Sequence, residues 1–341
     1  MNGLMLTTAL TSVCLLSAGV MGYAIQRGAT CTVVAVTEIL DTRRFGRLLA
    51  MLEASLWVLA VILGLKMLGL RMPMPQGYAS TGLTVAGAAL LGIGAAVNRA
   101  CVFGAIARFG NGEWAYIATP PGFLAGYWLA THVFPFMTNA PLQQAAPALS
   151  LPAWAAATVM AVVVARVAWT VYRTFICGAK CQAGNVGNRK SSPRVTWAAR
   201  AWHPYSATLV IGVTFIVLLT LAGAWTYTDT LADWALERMS AAALRGPLLL
   251  ALFAGAALGG WTAGRFVPTR PTGTAIGRCA LGGALMGIGS FWIPGGNDGL
   301  ILTGLPLLWP YAWIAFCTMC VAIAAYQLLS RHVREGQNNR P

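Results

Sequence analysis

Residues 87–104 read GAALLGIGAAVNRACVFG, and residues 282–299 read GGALMGIGSFWIPGGNDG. At a constant offset the two agree at Gly87/Gly282, Ala89/Ala284, Leu90/Leu285, Gly92/Gly287, Ile93/Ile288, Gly94/Gly289 and Gly104/Gly299. In each, an apolar Gly-Ile-Gly segment meets a short polar break, after which apolar sequence resumes. The first break is Asn98-Arg99-Ala100-Cys101 and the second is Pro294-Gly295-Gly296-Asn297-Asp298. Backbone N–H and C=O groups freed inside a bilayer are tolerated only where they are buried in protein or line a cavity. Paired, interrupted hydrophobic segments in the two halves of one chain therefore point to a midplane binding site in an internally duplicated transport protein.

The rest of the chain fits that setting. Of its 341 residues, 57% are hydrophobic and 9% charged, with a mean hydropathy of +0.67, where a soluble domain carries roughly 25% charged residues. This excludes a water-soluble globule and predicts an all-α membrane protein. Apolar stretches of roughly 20 residues fall at 4–23, 48–70, 80–97, 116–136, 151–172, 207–227, 247–264, 279–293 and 307–329, about nine transmembrane helices. Residues 24–40 are too short for another crossing and are expected to form a short helix dipping inward from the cytoplasmic side. The expected fold is thus nine transmembrane helices plus short re-entrant helices in two pseudo-symmetric halves.

Basic loops stay cytoplasmic. Residues 173–203 hold Arg173, Lys180, Arg189, Lys190, Arg194 and Arg200 with no acid; Arg43, Arg44 and Arg47 precede the second span, and Arg331 and Arg334 follow the last. Residues 137–150 carry no charge, and Asp229, Asp233 and Glu237 cluster after the sixth span. Nine crossings with the N-terminus out and the C-terminus in place every basic cluster inside, in the inner (plasma) membrane of the cell. The same loop divides the chain into an N-terminal membrane half, 1–172, a basic cytoplasmic linker, 173–203, and a C-terminal membrane half, 204–341. Residues 1–26 contain no Lys or Arg, so the first span lacks a secretory n-region and is expected to be retained. A net charge of +14 confined to short loops, without a reader motif, follows the positive-inside rule and excludes a nucleic-acid partner.

The eight cysteines separate by surroundings. Cys317 and Cys320 lie in an unbroken apolar helix with no His or acid beside them, which favours packing over a metal site. Cys177 and Cys181 sit in the basic linker, where Arg173 and Lys180 favour a thiolate. Cys31 and Cys101 stand beside helix breaks, each after an arginine, Arg27 or Arg99. An arginine at that depth either reaches the interface or faces an anion, and a short helix starting at either thiol would aim free N–H groups at the same anion. The candidate path is therefore Gln26, Arg27, Cys31, Asn98, Arg99, Cys101, Gly296, Asn297 and Asp298. Asp298 is read as a helix cap, an arginine partner or a protonatable group rather than a direct ligand of an anion. No catalytic residue, cofactor or metal site is expected.

Two segments carry a family resemblance: 22–31, Gly-Tyr-Ala-Ile-Gln-Arg-Gly-Ala-Thr-Cys, and 92–104, Gly-Ile-Gly-Ala-Ala-Val-Asn-Arg-Ala-Cys-Val-Phe-Gly. They resemble the Gln-Arg…Cys and Gly-x-Gly…Cys-x-x-Gly motifs of the YeeE/YedE family of sulfur-transport membrane proteins, and residues 282–298 resemble its C-terminal element. The resemblance implies an hourglass of helices in which cysteines pass thiosulfate along, and a cytoplasmic sulfur-carrier or sulfurtransferase partner. Cys31 and Cys101 fall on its first two cysteines. Where its C-terminal motif has Gly-Cys-Asn, this chain reads Gly295-Gly296-Asn297, which leaves another sulfur oxyanion or a reduced sulfur species open. A different class of function is a membrane enzyme or sensor in which Cys31 or Cys101 becomes persulfidated and hands sulfur to a cytoplasmic partner.

Overall fold

The structure is a computed structural model and describes residues 2–70, 74–172, 202–238 and 242–338. The basic linker, including Cys177 and Cys181, lies outside the described residues apart from residues 202–203. Among the described residues the fold is helical apart from a two-residue antiparallel pairing, Gly77–Tyr78 (β1) with Pro141–Leu142 (β2), and an isolated parallel bridge between Glu113 and Thr269. The first half comprises α1 (Asn2–Gly28), α2 (Thr32–Thr42), α3 (Gly46–Met67), α4 (Gly82–Asn98), α5 (Val102–Gly110), α6 (Thr119–Val133) and α7 (Ala153–Tyr172). The second comprises α8 (Pro204–Ala222), α9 (Tyr227–Ala235), α10 (Ala242–Thr262), α11 (Gly273–Trp292), the short α12 (Asn297–Gly299) and α13 (Pro310–Asn338). α12 runs into one wide turn over Leu300–Gly304, where Leu305 N bonds Leu300 O at 2.8 Å.

Each of the nine predicted stretches holds a long helix, but not all are equal. Six helical segments are long and apolar enough to cross a bilayer, and a seventh counts if Gly273–Trp292 and Asn297–Gly304, bent by 54°, are one span. The other two do not count among these: α6 is shorter than the roughly 20 residues a crossing needs, and α7, 20 residues long, has a shorter apolar part. α6 has 15 residues, because a 3-10 turn at Trp114–Ala118 precedes it and the chain leaves the helix at Phe134; the short apolar part of α7 is Ala153–Arg166. The described residues thus supply six or seven apolar spans where the sequence predicts nine.

The first turns follow from sequence. Thr81 opens α4 with a reciprocal capping box to Thr84, Thr272 accepts the Ala275 N–H to open α11, and Pro204 stands at the start of α8, each satisfying or removing an orphan donor. Packing is dominated by α1 against α10 and α8, and by α11 against α6 and α4. The two quoted stretches meet each other. A Cβ on Gly87 would stand 2.8 Å from Gly289 O and one on Gly289 would stand 2.5 Å from Gly87 O; Gly94 and Gly282 stand in the same mutual relation, at 2.8 Å each way. Only glycine permits that backbone approach, the small-residue packing characteristic of helices in lipid. At the repeat offset Gly87 corresponds to Gly282 and Gly94 to Gly289, so each glycine touches the counterpart of the other one, a crosswise pairing in which the helices run antiparallel.

Candidate functional site

Three helix breaks share one construction. Thr30 N returns to Ile25 O at 3.3 Å, Ala100 N to Ala95 O at 3.0 Å and Gly295 N to Ser290 O at 2.9 Å, the six-to-one bond that closes a helix C-terminus. In the first two, the preceding residue is left-handed, Ala29 with φ +46° and Arg99 with φ +61°. The residue that follows each closing bond caps a new short helix: Cys31 caps α2, Cys101 caps α5 and Gly296 caps α12, all with extended backbone. Gln26-Arg27-Gly28 reads as a turn in sequence. In the structure α1 continues through Gly28 and the chain turns at Ala29–Cys31, because the apolar run 24–25 and Gln26 still pack inside the bundle.

The breaks are arranged as facing pairs. At the first pair Cys31 and Cys101 are 4% and 1% exposed, their Sγ atoms are 3.6 Å apart, and the Thr32 N–H donates to Cys101 Sγ at 3.2 Å. The beginning of α2 therefore points at the sulfur that begins α5. At the second pair, α9 and α12 face each other: the Thr228 N–H donates to Asp298 Oδ2 at 3.0 Å, and the Thr228 hydroxyl donates to Asp298 Oδ1. Asp298 Oδ1 also accepts from Gly299 N at 3.0 Å. Asp298 thus ties two helix starts together and has no arginine partner among the described residues. A Cβ on Gly296 would collide with the Thr228 hydroxyl and both carbons beyond its Cα. Thr228, 68 residues away in sequence, occupies the room a side chain at Gly296 would need.

The remaining predicted residues divide. Asn98 is buried and used by its own break, donating to Ala100 O at 2.9 Å and accepting from Thr119 at 3.3 Å. Gln26 donates to Asn111 Oδ1 at 2.9 Å. Arg27 is buried, bonding Tyr23 Oη at 2.9 Å and Thr262 Oγ1 at 2.7 Å, so it is fastened to α10 rather than aimed at Cys31. Arg99 is exposed. Asn297 is fully buried, and neither its Oδ1 nor its Nδ2 has a hydrogen-bond partner among the described residues. Buried amides left so are costly; Nδ2 can donate to an anion, whereas Oδ1 needs a donor.

Two cavities flank these pairs. At the upper rim, where α13 begins, about 350 Å³ is lined by Tyr78, Tyr127, Thr228, Ser290, Gly296 and Tyr311 among others. Ser290 is 1% exposed and its hydroxyl has no partner among the described residues. At the lower rim, about 480 Å³ is bounded by the ends of α4 and α13 and the start of α11. Sequence reading reaches neither Thr228 nor Ser290, since a threonine in an apolar run carries no signal until its distant neighbour is known.

A family model described as sulphur transport matches residues 27–325. The chain belongs to that family, the YeeE/YedE sulfur-transport membrane proteins. The match runs from the end of α1 to the middle of α13 and includes every break. No curated protein matches the chain. Membership makes this YeeE/YedE protein a multi-pass membrane transporter for sulfur.

Proposed function

We propose that this protein is an inner-membrane permease for a small sulfur-containing anion, thiosulfate first among them, with the N-terminus outside and the C-terminus in the cytoplasm. The observation that carries the reading is the Cys31–Cys101 pair, two sulfurs 3.6 Å apart at the facing starts of α2 and α5. Helix N-termini present free N–H groups and positive dipole ends, and polarizable sulfur suits a sulfur-bearing ion. Such a contact holds the ion weakly enough for it to move on; at the upper pair Asp298 ties two helix starts together and is not itself a ligand of an anion. Arg99, and Arg27 held by Tyr23 and Thr262, add positive potential at the lower rim; Gln26 and Asn98 brace the breaks; Asn297 offers unused donors. The reciprocal glycine contacts of α4 and α11 support an inverted repeat about an axis in the membrane plane. Nine crossings, counting short α6 and α7, then give an hourglass with a cavity at either end, and a cytoplasmic sulfur-carrier protein would collect the cargo.

The test is uptake of radiolabelled thiosulfate into proteoliposomes, with sulfate as competitor, for the wild type and Cys101→Ala. Uptake selective for thiosulfate and reduced to background by Cys101→Ala is expected. Absence of uptake by a folded wild type overturns thiosulfate as cargo. The sulfur-passing enzyme or sensor is less well supported, because both thiols are buried from any protein acceptor; a persulfide trapped on either and found by mass spectrometry would favour it.

A further inference from the structure

The lower cavity, bounded by α2, α4, α5, α11 and α13, is lined by four guanidinium groups, Arg99, Arg108, Arg278 and Arg331, and among the described residues by no carboxylate. Two of the four are already paired, Arg108 with Glu113 at 3.1 Å and Arg331 with Asp41 at 2.6 Å. Arg99 and Arg278 have no ion-pair partner among the described residues, and Arg278 Nε is sealed from solvent with no hydrogen-bond partner there. Of the other walls, Val33, Val34, Ala96 and Val97 are apolar and Thr37, Tyr326, Gln327 and Ser330 are neutral polar residues, so none carries a charge that compensates the arginines. A neutral polar pair shares the same cavity: Gln327 Nε2 donates to the Thr37 hydroxyl at 2.9 Å, and that hydroxyl donates to Val33 O at 2.8 Å.

Unpaired cations gathered at a low-dielectric wall focus a positive potential, and the guanidinium fork matches the tetrahedral oxygens of an oxyanion better than it matches chloride. The position is separate from both helix pairs. Arg278 lines this cavity and Ser290 lines the upper one; twelve residues apart on α11, they are about 18 Å apart along the axis. Yet Val33 lies two residues beyond Cys31 and Arg99 two before Cys101, so the cavity begins where the sulfur pair ends.

We propose that the lower cavity is a second oxyanion site, on the far side of the cysteine pair, which takes a soluble dianion such as thiosulfate, sulfate or phosphate through Arg99 and Arg278. That the natural occupant is the transported ion rests on the permease reading; the site itself does not. As a release-side station it draws the ion past the thiols and holds it until water and cytoplasmic anions exchange with it.

The experiment is equilibrium binding of radiolabelled sulfate and thiosulfate to the full chain in phosphatidylcholine nanodiscs. The wild type is expected to bind both, Arg99→Gln and Arg278→Gln to bind about tenfold more weakly or worse, and Arg278→Lys, which keeps charge but loses the fork, to fall between. Matching size-exclusion profiles and melting temperatures establish that the variants are folded, and Arg99→Gln, at an exposed position, serves if Arg278→Gln is not. No binding by the wild type, or binding unchanged in both glutamine variants, overturns the proposal. Displacement of sulfate by phosphatidylglycerol in the nanodisc also overturns it, since the cavity is then a lipid headgroup site. Arginine-dependent binding in a protein that shows no thiosulfate uptake supports the site while removing the permease reading.

Discussion

At the scale of single residues the informative contact is Thr228 against Gly296. The hydroxyl of Thr228 lies where a side chain on Gly296 would go, and it also donates to Asp298. Gly296→Cys therefore does not simply supply a further thiol. Overpacking of this kind costs about 1–3 kcal/mol, so the variant is expected to melt earlier in detergent than the wild type, and Thr228→Ala, which relieves part of the clash but removes the donor to Asp298, to destabilise the Gly296→Cys protein less than it destabilises the wild type. Equal melting of Gly296→Cys and wild type would show that the threonine is not held against the glycine. Thr228→Val keeps the volume and removes the donor, leaving Asp298 one hydrogen bond short; a loss of about 1–3 kcal/mol, read from the same melting curves, is expected.

At the scale of elements, the recurring break positions the chemistry. A closed helix end followed at once by a capping residue puts Cys31 and Cys101 at the starts of α2 and α5, and the two starts face each other. With sulfurs 3.6 Å apart, mild oxidation with copper phenanthroline is expected to join Cys31 to Cys101, detectable as a linked peptide by mass spectrometry, and to stop uptake until dithiothreitol is added. Failure to link them would mean that α2 and α5 do not face each other as described. The glycine seam between α4 and α11 is equally exacting. Gly94→Leu would drive a side chain into the backbone of Gly282 and Met286, 2.8 Å from a bare Cβ. It is expected to prevent recovery of monodisperse protein, whereas Gly46→Ala, with nothing within 4 Å, changes yield and melting little.

At the scale of the whole molecule, the bundle is a polarised one. The lower rim gathers arginines from α4, α5, α11 and α13, while the upper cavity includes Asp229 and Asp233 with Arg238 and Arg245. Basic ends remain cytoplasmic, so a fluorescent-protein fusion after residue 341 is expected to fluoresce in cells and an alkaline-phosphatase fusion at the same point to be inactive. The reverse pattern would turn the molecule over and make the arginine cavity face outward. An ion crossing the bundle in the orientation proposed leaves a mixed-charge chamber and ends in a positive one.

The sequence by itself determined the membrane setting, the helical class and the polar interruptions near which helices break, because hydropathy, Gly-Ile-Gly spacing and polar interruptions are local properties written into about twenty residues at a time. It also determined that Cys31 and Cys101 stand at such breaks, and family membership followed from the same motifs. What it could not determine were partners distant along the chain. Arg27 and Arg99 look alike in sequence, each shortly before a cysteine, yet one is fastened to Thr262 and the other lines an open cavity. The span count likewise depends on whether short helices such as α6 are long enough, a matter of where turns fall rather than of composition. Thr228, Ser290 and Arg278 acquired meaning only from the tertiary structure, because a hydroxyl or guanidinium takes its role from what the fold packs against it, and close packing brings together atoms that no sequence spacing relates.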